Sequence, residues 1–184
     1  MYKIYEKCPV FKNERVTLRL TGGEDTFELL NCYSDEKAVP LFNSDNCHGD
    51  TFYYTTPEQM KQSIDFWKFS YETRQFVRMT IILNNTCEII GTVEMFNRGV
   101  APYYGVHGVL RLDVMSRYEK KGILTAVLQL VNEHFYKEFG VEWIVTKAID
   151  SAIVRRDVLF SLGYIPLEKF ALNDYYGRIE VFPG

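Results

Sequence analysis

The spacing of apolar residues changes in the middle of the chain, between residues 108 and 139. Residues 108–115 alternate, with Leu110 and Leu112 on one face and Arg111 and Asp113 on the other, and this pattern predicts a strand. Beyond residue 122 the apolar positions recur every three or four residues, which predicts a long amphipathic helix. Its apolar stripe comprises Ile123, Leu124, Val127, Leu128, Val131, Phe135 and Phe139.

A short basic loop, RYEKKG at residues 117–122, joins this strand to this helix. The first turn of a helix has unpaired backbone N–H groups and lies at the positive end of the helix dipole. Such a junction favours binding of a phosphate or a diphosphate. The sequence therefore predicts an anion site at this loop.

Similar patterns assign the remaining elements. We expect Thr56 to cap a helix with Pro57 at its first position and Gln59 completing a capping box. Gly163 is expected to end the last helix. Strands are predicted at residues 15–21, 76–83, 88–96, 106–115, 141–149, 164–166 and 177–182, helices at 24–34, 57–72, 123–139 and 151–162, and a loop at 97–105.

For two of the predicted helices the sequence also indicates which residues are buried, and for the last helix it indicates the N-cap. In the first helix, Phe27 and Leu30 are expected to face the core. In the last, Asp150 or Ser151 is the expected cap. The buried stripe of this last helix is predicted to contain Val154, Val158 and Leu162, with Arg155 and Arg156 on its polar side.

The order of these elements, β-α-α-β-β-β-α-β-α-β-β, predicts the α+β class. Antiparallel hairpins come first, and one βαβ crossover follows around residues 106–149, so the sheet should be mixed and mostly antiparallel with about seven strands. No repeat or linker divides the chain, and we expect a single domain over residues 1–184.

Composition excludes several broad classes of function. Apolar residues make up 47% of the chain and charged residues 24%, as in ordinary globular domains, and the net charge of −3 argues against a general nucleic-acid binder. No apolar run reaches the ~20 residues of a membrane span, and the N-terminus lacks the pattern of a signal peptide. The scattered cysteines, Cys8, Cys32, Cys47 and Cys87, favour a reduced, cytoplasmic protein without a metal site.

Three segments resemble the GCN5-related N-acetyltransferases (GNAT family), and within it the branch similar to ribosomal-protein-alanine acetyltransferases. These are LRLT at residues 18–21, IIGTVEMF at 89–96 and VLFSLGYI at 158–165, the last being the most specific. The resemblance implies a GNAT-like sheet with helices on both faces. It also implies an acetyl-CoA-dependent N-acetyltransferase whose acceptor is an amine of a small molecule or of a protein N-terminus.

In the family, acetyl-CoA lies in a V between two splayed parallel strands, here residues 106–115 and 141–149. The family loop reads Gln/Arg-x-x-Gly-x-Gly/Ala, and of this pattern only Gly122 is present, with Glu119 and Leu124 at the other two positions. By resemblance the cofactor-binding residues are Asp113, Val114, Met115, Glu119, Lys120, Lys121, Gly122, Ile123, Leu124, Thr125, Asp150 and Arg155.

Acetyl transfer to an amine needs a proton acceptor, stabilisation of the developing oxyanion and a leaving thiolate. The catalytic candidates are the carboxylates Glu94 and Asp113 and the phenol Tyr164, while His107 is a weaker candidate. A backbone N–H near Val114 would serve the oxyanion. The segment 48–54 and the helix 57–72 are expected to form the acceptor side.

Two other functions are compatible with the sequence. The divergent loop favours a catalytically inactive GNAT-fold module that senses a ligand or binds a protein. A longer acyl-CoA could also replace acetyl-CoA as donor. The expected partners are acetyl-CoA and an amine acceptor, with no nucleic acid, no membrane and no metal, and the chain is expected to be a monomer or homodimer.

Overall fold

The computed structural model of the chain describes residues 3–45, 47–102, 105–167 and 173–180. They form one eight-stranded sheet in the order β1-β2-β3-β4-β5-β6-β8-β7. The strands are Phe11–Lys12 (β1), Val16–Leu20 (β2), Val77–Leu83 (β3), Ile89–Ala101 (β4), Gly105–Val114 (β5), Trp143–Lys147 (β6), Ile165–Pro166 (β7) and Tyr175–Ile179 (β8). The helices are Thr26–Tyr33 (α1), Pro57–Glu72 (α2), Lys121–Phe139 (α3) and Ile153–Ser161 (α4).

The sheet confirms the predicted α+β class with one parallel crossover. Every described strand pair is antiparallel except β5 with β6, which α3 connects. The eighth strand is β1, a two-residue edge strand whose pattern is too short to predict. It pairs with β2 through Phe11 and Leu18, and the buried Phe11 ring stacks on His134 of α3.

Helices cover both faces of the sheet, and each face has its own core. The larger core lies under α3 and α4, where Leu110 and Leu112 of β5 pack with Val127 and Val131 of α3. The smaller core lies under α1 and α2 and includes Tyr33, Trp67 and Met115. Because strand side chains alternate, Arg111 and Asp113 lie on the face opposite to Leu110 and Leu112.

The helix start at Pro57 follows the sequence closely. The Thr56 hydroxyl accepts a hydrogen bond from the Gln59 N–H, and the Gln59 side chain accepts one from the Thr56 N–H, which completes the predicted capping box. Gly163, with φ of 83°, ends α4 in the left-handed region as predicted.

Some expectations about local structure were wrong. Phe27 is 73% exposed, because α1 buries Leu29, Cys32 and Tyr33 instead. Residues 97–101 are not a loop, since β4 continues to Ala101 and pairs with β5 up to Gly105. At α4 the N-cap is Ala152 without a side-chain cap, and the helix buries Arg155, Val158 and Leu159 while Val154 is 38% exposed.

Candidate active site

The parallel pair β5 and β6 separates before β5 ends. Paired residues run from His107 opposite Trp143 to Leu110 opposite Thr146, and β5 then continues to Val114. The Val106 carbonyl accepts a hydrogen bond from the Glu142 N–H, so the even-numbered residues of β5 direct both their N–H and their C=O groups towards β6. The N–H and C=O groups of Leu112 and Val114 therefore point into the space where the two strands diverge. We call this space the cleft.

The N-terminus of α3 lies at the end of the loop that follows β5. A turn of 3-10 helix, Ser116–Tyr118, leads to Lys120, which is the N-cap and makes no side-chain cap. The Lys120 carbonyl accepts from the N–H groups of Ile123 and Leu124, each at 3.0 Å. The earlier N–H groups, those of Lys121 and Gly122, precede the first helical hydrogen bonds and are placed to donate to an anion.

Gly122 has no steric role within the fold. A Cβ atom at this position would meet only the Arg15 guanidinium, whose Nη1 lies 3.5 Å away at ordinary contact distance. The helix therefore accepts a side chain here, and the glycine leaves room above the first turn. Arg15 adds a positive charge beside Lys120 and Lys121, and nothing in its local sequence indicated that it reaches this helix.

A buried arginine occupies part of the cleft. Arg155 of α4 is 3% exposed, although the sequence placed it on the solvated side of that helix. Its Nη1 donates to the carbonyls of Leu112 at 2.8 Å and Leu41 at 3.1 Å. Its Nε and Nη2 donate to the two carboxylate oxygens of Glu119, both at 2.8 Å. The loop glutamate is therefore held by the last helix.

The segment 35–45, which we call the strap, follows α1 and crosses the cleft. Its Asp35 carboxylate accepts from the Ser116 N–H at 2.7 Å. At its other end Asp45 accepts from Lys147 of β6 and from the Tyr175 hydroxyl of β8, and its carbonyl accepts from Arg111 of β5. The hydrogen bond from Lys147 holds the pKa of Asp45 below its usual range. The strap is therefore bound at one end to the residues that follow β5 and at the other end to β6.

A pocket of about 770 Å³ opens on the α1/α2 side of the sheet. Arg111 lines it and is also the first β5 residue beyond the last β5–β6 pair, so the pocket borders the cleft. Residues of both segments that the sequence assigns to the acceptor side, 48–54 and 57–72, line this pocket, and their contact with an acceptor stays a prediction. Its walls are rich in aromatic rings: Phe52, Tyr53, Tyr54, Phe66, Trp67, Phe76 and Phe96.

The segment between the strap and α2 has a constrained backbone where it lines this pocket. His48 and Phe52 have φ of 54° and 56°, and Gly49 between them has φ of 87°. Side chains other than glycine rarely adopt these values, and such residues concentrate at functional sites. The Phe52 ring is buried against Tyr33 and Arg78, which holds the turn in place.

The pocket floor is a row of buried charges across three strands. Arg78 donates through Nε and Nη2 to Glu94 Oε2 at 2.9 and 2.6 Å, and through Nη1 to Asp113 Oδ2 at 2.9 Å. Arg111 donates to the other oxygen of Glu94 at 3.1 Å. Burial alone would lower the pKa of Arg78, but the charges of Glu94 and Asp113 and the Tyr33 phenol raise it well above its ordinary value.

Aromatic rings complete the surroundings of Arg78. Its guanidinium lies 4.2 Å from the centre of the Trp67 ring and 5.4 Å from that of Phe52. The Tyr33 hydroxyl contacts both Arg78 and Asp113, at 2.7 and 2.9 Å. Asp113 Oδ1 is buried without a hydrogen-bond partner among the described residues.

The predicted catalytic residues do not all meet. Arg78 lies between Glu94, which lines the pocket, and the buried Asp113, and arginines engage both oxygens of Glu94. Tyr164 is buried in the larger core on the other side of the sheet, where its hydroxyl donates to Asn132 of α3. Burial raises the pKa of Tyr164 well above its ordinary value, and its assignment as an acid stays a prediction.

The predicted cofactor-binding residues divide between the cleft and its surroundings. Asp150 lies at the surface and pairs with Arg156, and Leu124 is buried in the larger core. The Met115 N–H donates to Ile90, within the sheet. Glu119, Lys120, Lys121, Gly122 and Arg155 surround the end of the cleft next to α3.

Sequence reasoning did not identify Arg78 and Tyr33 as site residues. The available signal was an arginine within the apolar run FVRMTIIL, because a charge inside a buried strand requires a partner of opposite charge. His107 is buried, and its Nδ1 lies 2.9 Å from the Gly99 carbonyl oxygen. Burial lowers the pKa of His107.

No group of three or more metal-ligating side chains occurs among the described residues. In the described ranges no helix has the length and apolar character needed to cross a bilayer.

The comparisons with known proteins identify the fold. No protein-family model and no curated protein sequence matches the chain. Solved structures do match. The ribosomal-protein-S5-alanine acetyltransferase of Vibrio fischeri has a TM-score of 0.71 at 20% identity, covering 94% of this chain and 97% of that one.

Two further structures have the same architecture. A GNAT-family acetyltransferase from Bacillus anthracis has a TM-score of 0.67 at 16% identity, covering 94% of this chain and 99% of that one. RimJ of Mycobacterium smegmatis, solved in complex with CoA-disulfide, has a TM-score of 0.69 at 15% identity over 89% of this chain and 81% of that one. The chain therefore has the GNAT fold that its sequence motifs predicted.

Proposed function

We propose that this chain is an acyl-CoA-dependent N-acyltransferase, with acetyl-CoA as the donor and an amine as the acceptor. The observation that carries the proposal is the divergence of β5 from β6 beside the open N-terminus of α3. A GNAT-fold neighbour solved with a CoA compound supports the same class of ligand. When bound, the co-substrate supplies the thioester from which the acyl group is transferred.

The donor set at α3 fits a diphosphate. The N–H groups of Lys121 and Gly122 precede the first hydrogen bonds of α3 and point away from the helix. Gly122 has no Cβ atom to obstruct an approaching phosphate. Positive charge comes from the side chains of Arg15, Lys120 and Lys121. The backbone N–H and C=O groups of Leu112 and Val114 are placed to form hydrogen bonds with the amides of an extended ligand such as pantetheine. Binding there requires Arg155 to release the Leu112 carbonyl.

The aromatic pocket would hold the acceptor. Its floor adjoins the cleft at Arg111, so an amine in the pocket can approach a thioester held beside Leu112 and Val114. An alkyl ammonium has a reference pKa of about 10.4 and must lose a proton before it attacks. Glu94 lines the pocket, and we assign its carboxylate as the acceptor of this proton. The ion pairs with Arg78 and Arg111 hold the Glu94 side chain in its orientation.

The Val114 N–H is the candidate donor to the developing oxyanion, because it points into the cleft and any residue type supplies it. Asp113 lies directly behind Arg78 and completes the neutral charge row. In this assignment Asp113 positions Arg78 and, through it, Glu94, without contacting the acceptor.

Turnover with a panel of amines tests the proposal. The protein with acetyl-CoA should release CoA faster than spontaneous thioester hydrolysis in the presence of at least one aromatic amine or peptide N-terminus, with the acetylated product identified by mass spectrometry. Glu94→Gln should lower kcat by about 10²–10⁴, the usual contribution of a general base. Asp65→Asn is the matched control, since Asp65 is exposed and pairs only with Lys61 among the described ion pairs.

A second function is favoured by one specific observation. Glu119 stands where the family loop has Gln or Arg, and it forms an ion pair with Arg155 beside the cleft. This departure from the family pattern favours a binding module without turnover. Binding of acetyl-CoA by the folded protein, with no product from any amine in the panel, would favour this alternative and contradict acyl transfer.

A further inference from the structure

The ion pair between Glu119 and Arg155 connects two elements that both border the cleft. Glu119 immediately precedes Lys120, the N-cap of α3, and its side chain is only 11% exposed. Arg155 comes from α4 and is buried. The two side chains meet in a bidentate arrangement, both hydrogen bonds being 2.8 Å long, which is the geometry of a strong pair.

The third nitrogen of the Arg155 guanidinium, Nη1, lies in the cleft. Its Nη1 binds the Leu112 carbonyl, which points to the side that β6 has left, and the Leu41 carbonyl of the strap. One guanidinium therefore bridges β5, the strap and the α3 loop. An extended ligand that used the Leu112 carbonyl would have to displace this group.

A diphosphate and a carboxylate compete for the same side of a guanidinium. Both are anions with oxygens spaced to accept two parallel N–H donors, and a planar arginine fork binds either. Glu119 precedes Lys121 and Gly122 by two and three residues, and the diphosphate of the proposed co-substrate would be placed at the N–H groups of those two residues. A diphosphate at this helix end would therefore compete for the Arg155 guanidinium, which the Glu119 carboxylate already holds.

We propose that Glu119 and Arg155 form an internal plug that makes the cleft selective for ligands carrying a diphosphate. This inference rests on the proposed function. The ligand's diphosphate replaces Glu119 as the partner of Arg155, Arg155 leaves the Leu112 carbonyl, and the pantetheine arm then enters. A thioester on pantetheine alone lacks the anion that exchanges with Glu119, so the plug stays closed to it.

Hydrogen exchange of the ligand-free protein tests the plug without any ligand. In Glu119→Gln, peptides covering residues 109–115 and 39–45 should exchange faster than in the wild type, while peptides from the middle of α3 are unchanged. Glu88→Gln is the matched control, because Glu88 pairs with Arg117 and Tyr118 of the same loop without contacting Arg155. Unchanged exchange in Glu119→Gln would overturn the plug.

Calorimetric titration with acetyl-CoA and with S-acetylpantetheine tests selectivity. The wild type should bind acetyl-CoA and not S-acetylpantetheine. Glu119→Gln should bind acetyl-CoA about tenfold more tightly, and Glu119→Gln with Arg155→Gln should lose that gain because Arg155 is then missing as a phosphate partner. Glu88→Gln should stay within about twofold of the wild type, because the half-buried Glu88 carboxylate pairs with Arg117 and Tyr118 and not with Arg155.

The outcomes separate the plug from the proposed function. Faster exchange in Glu119→Gln with no binding of either ligand by any variant would support the closed contact and contradict acyl-CoA as the ligand. Equal or weaker acetyl-CoA binding by Glu119→Gln, in a wild type that does bind, would overturn the plug and leave acyl transfer intact. Binding of S-acetylpantetheine by the wild type would overturn the selectivity.

Discussion

At the residue scale, the site depends on one buried cation. Arg78 has a fully buried side chain, and two carboxylates and an aromatic pair surround it. Removing one partner of a buried ion pair leaves an uncompensated charge in a medium of low dielectric, which destabilises a protein much more than the pair itself stabilises it. Arg78 thus fixes both the pocket floor and the position of Glu94.

Arg78→Met should lower the free energy of unfolding by about 3–5 kcal/mol, because Glu94 and Asp113 lose their common partner while the volume changes little. Denaturant unfolding followed by circular dichroism measures this. Lys61→Met is the matched control, since the Lys61–Asp65 pair is exposed and its loss should change stability by no more than about 0.5 kcal/mol. Equal effects of the two variants would contradict the role of Arg78.

At the element scale, the sequence predicted what local patterns determine. The strand-loop-helix junction at β5 and α3, the capping box at Thr56 and the left-handed end at Gly163 are set by side chains within a few residues of each other. The extension of β4 to Ala101 was not predictable in this way, because its polar residues are held by pairing with β5.

The environment of Arg155 shows why the site was harder to predict than the fold. Its burial depends on Glu119 and on the carbonyls of Leu41 and Leu112, which lie far away along the chain. A helical wheel places it on the polar side of α4, and only the tertiary structure supplies its partners. The same holds for Arg15, which immediately precedes β2 and reaches the α3 N-terminus.

Gly122→Val should leave the fold intact and weaken acetyl-CoA binding by at least about tenfold. A Cβ atom at this position meets only the flexible end of Arg15, and the two valine methyl groups would extend into the space above the first turn of α3. Calorimetry gives the affinity and thermal unfolding the stability. Gln129→Val, at an exposed position of the same helix, controls for a β-branched residue in α3. Unchanged affinity in Gly122→Val would remove the diphosphate from this helix end.

At the scale of the whole molecule, the two faces of the sheet differ in character. The side under α3 and α4 is a continuous apolar core, while the side under α1 and α2 carries the charge row and the aromatic pocket. The cleft at the end of the β5–β6 pairing is the place where both sides meet, and the strap fastens the α1/α2 side across it through Asp45. Donor and acceptor would therefore arrive from different sides of the sheet.

A thermal-unfolding titration of the wild-type protein with acetyl-CoA, CoA and dephospho-CoA tests whether the cleft binds an acyl-CoA. A ligand of the cleft at about 100 times its dissociation constant should add about 2.7 kcal/mol of stability, which raises the melting temperature of a domain of this size by several degrees. We expect this shift with all three compounds, because all carry the diphosphate. No shift with any of them at millimolar concentration would contradict the assignment of the β5–β6 cleft as an acyl-CoA site.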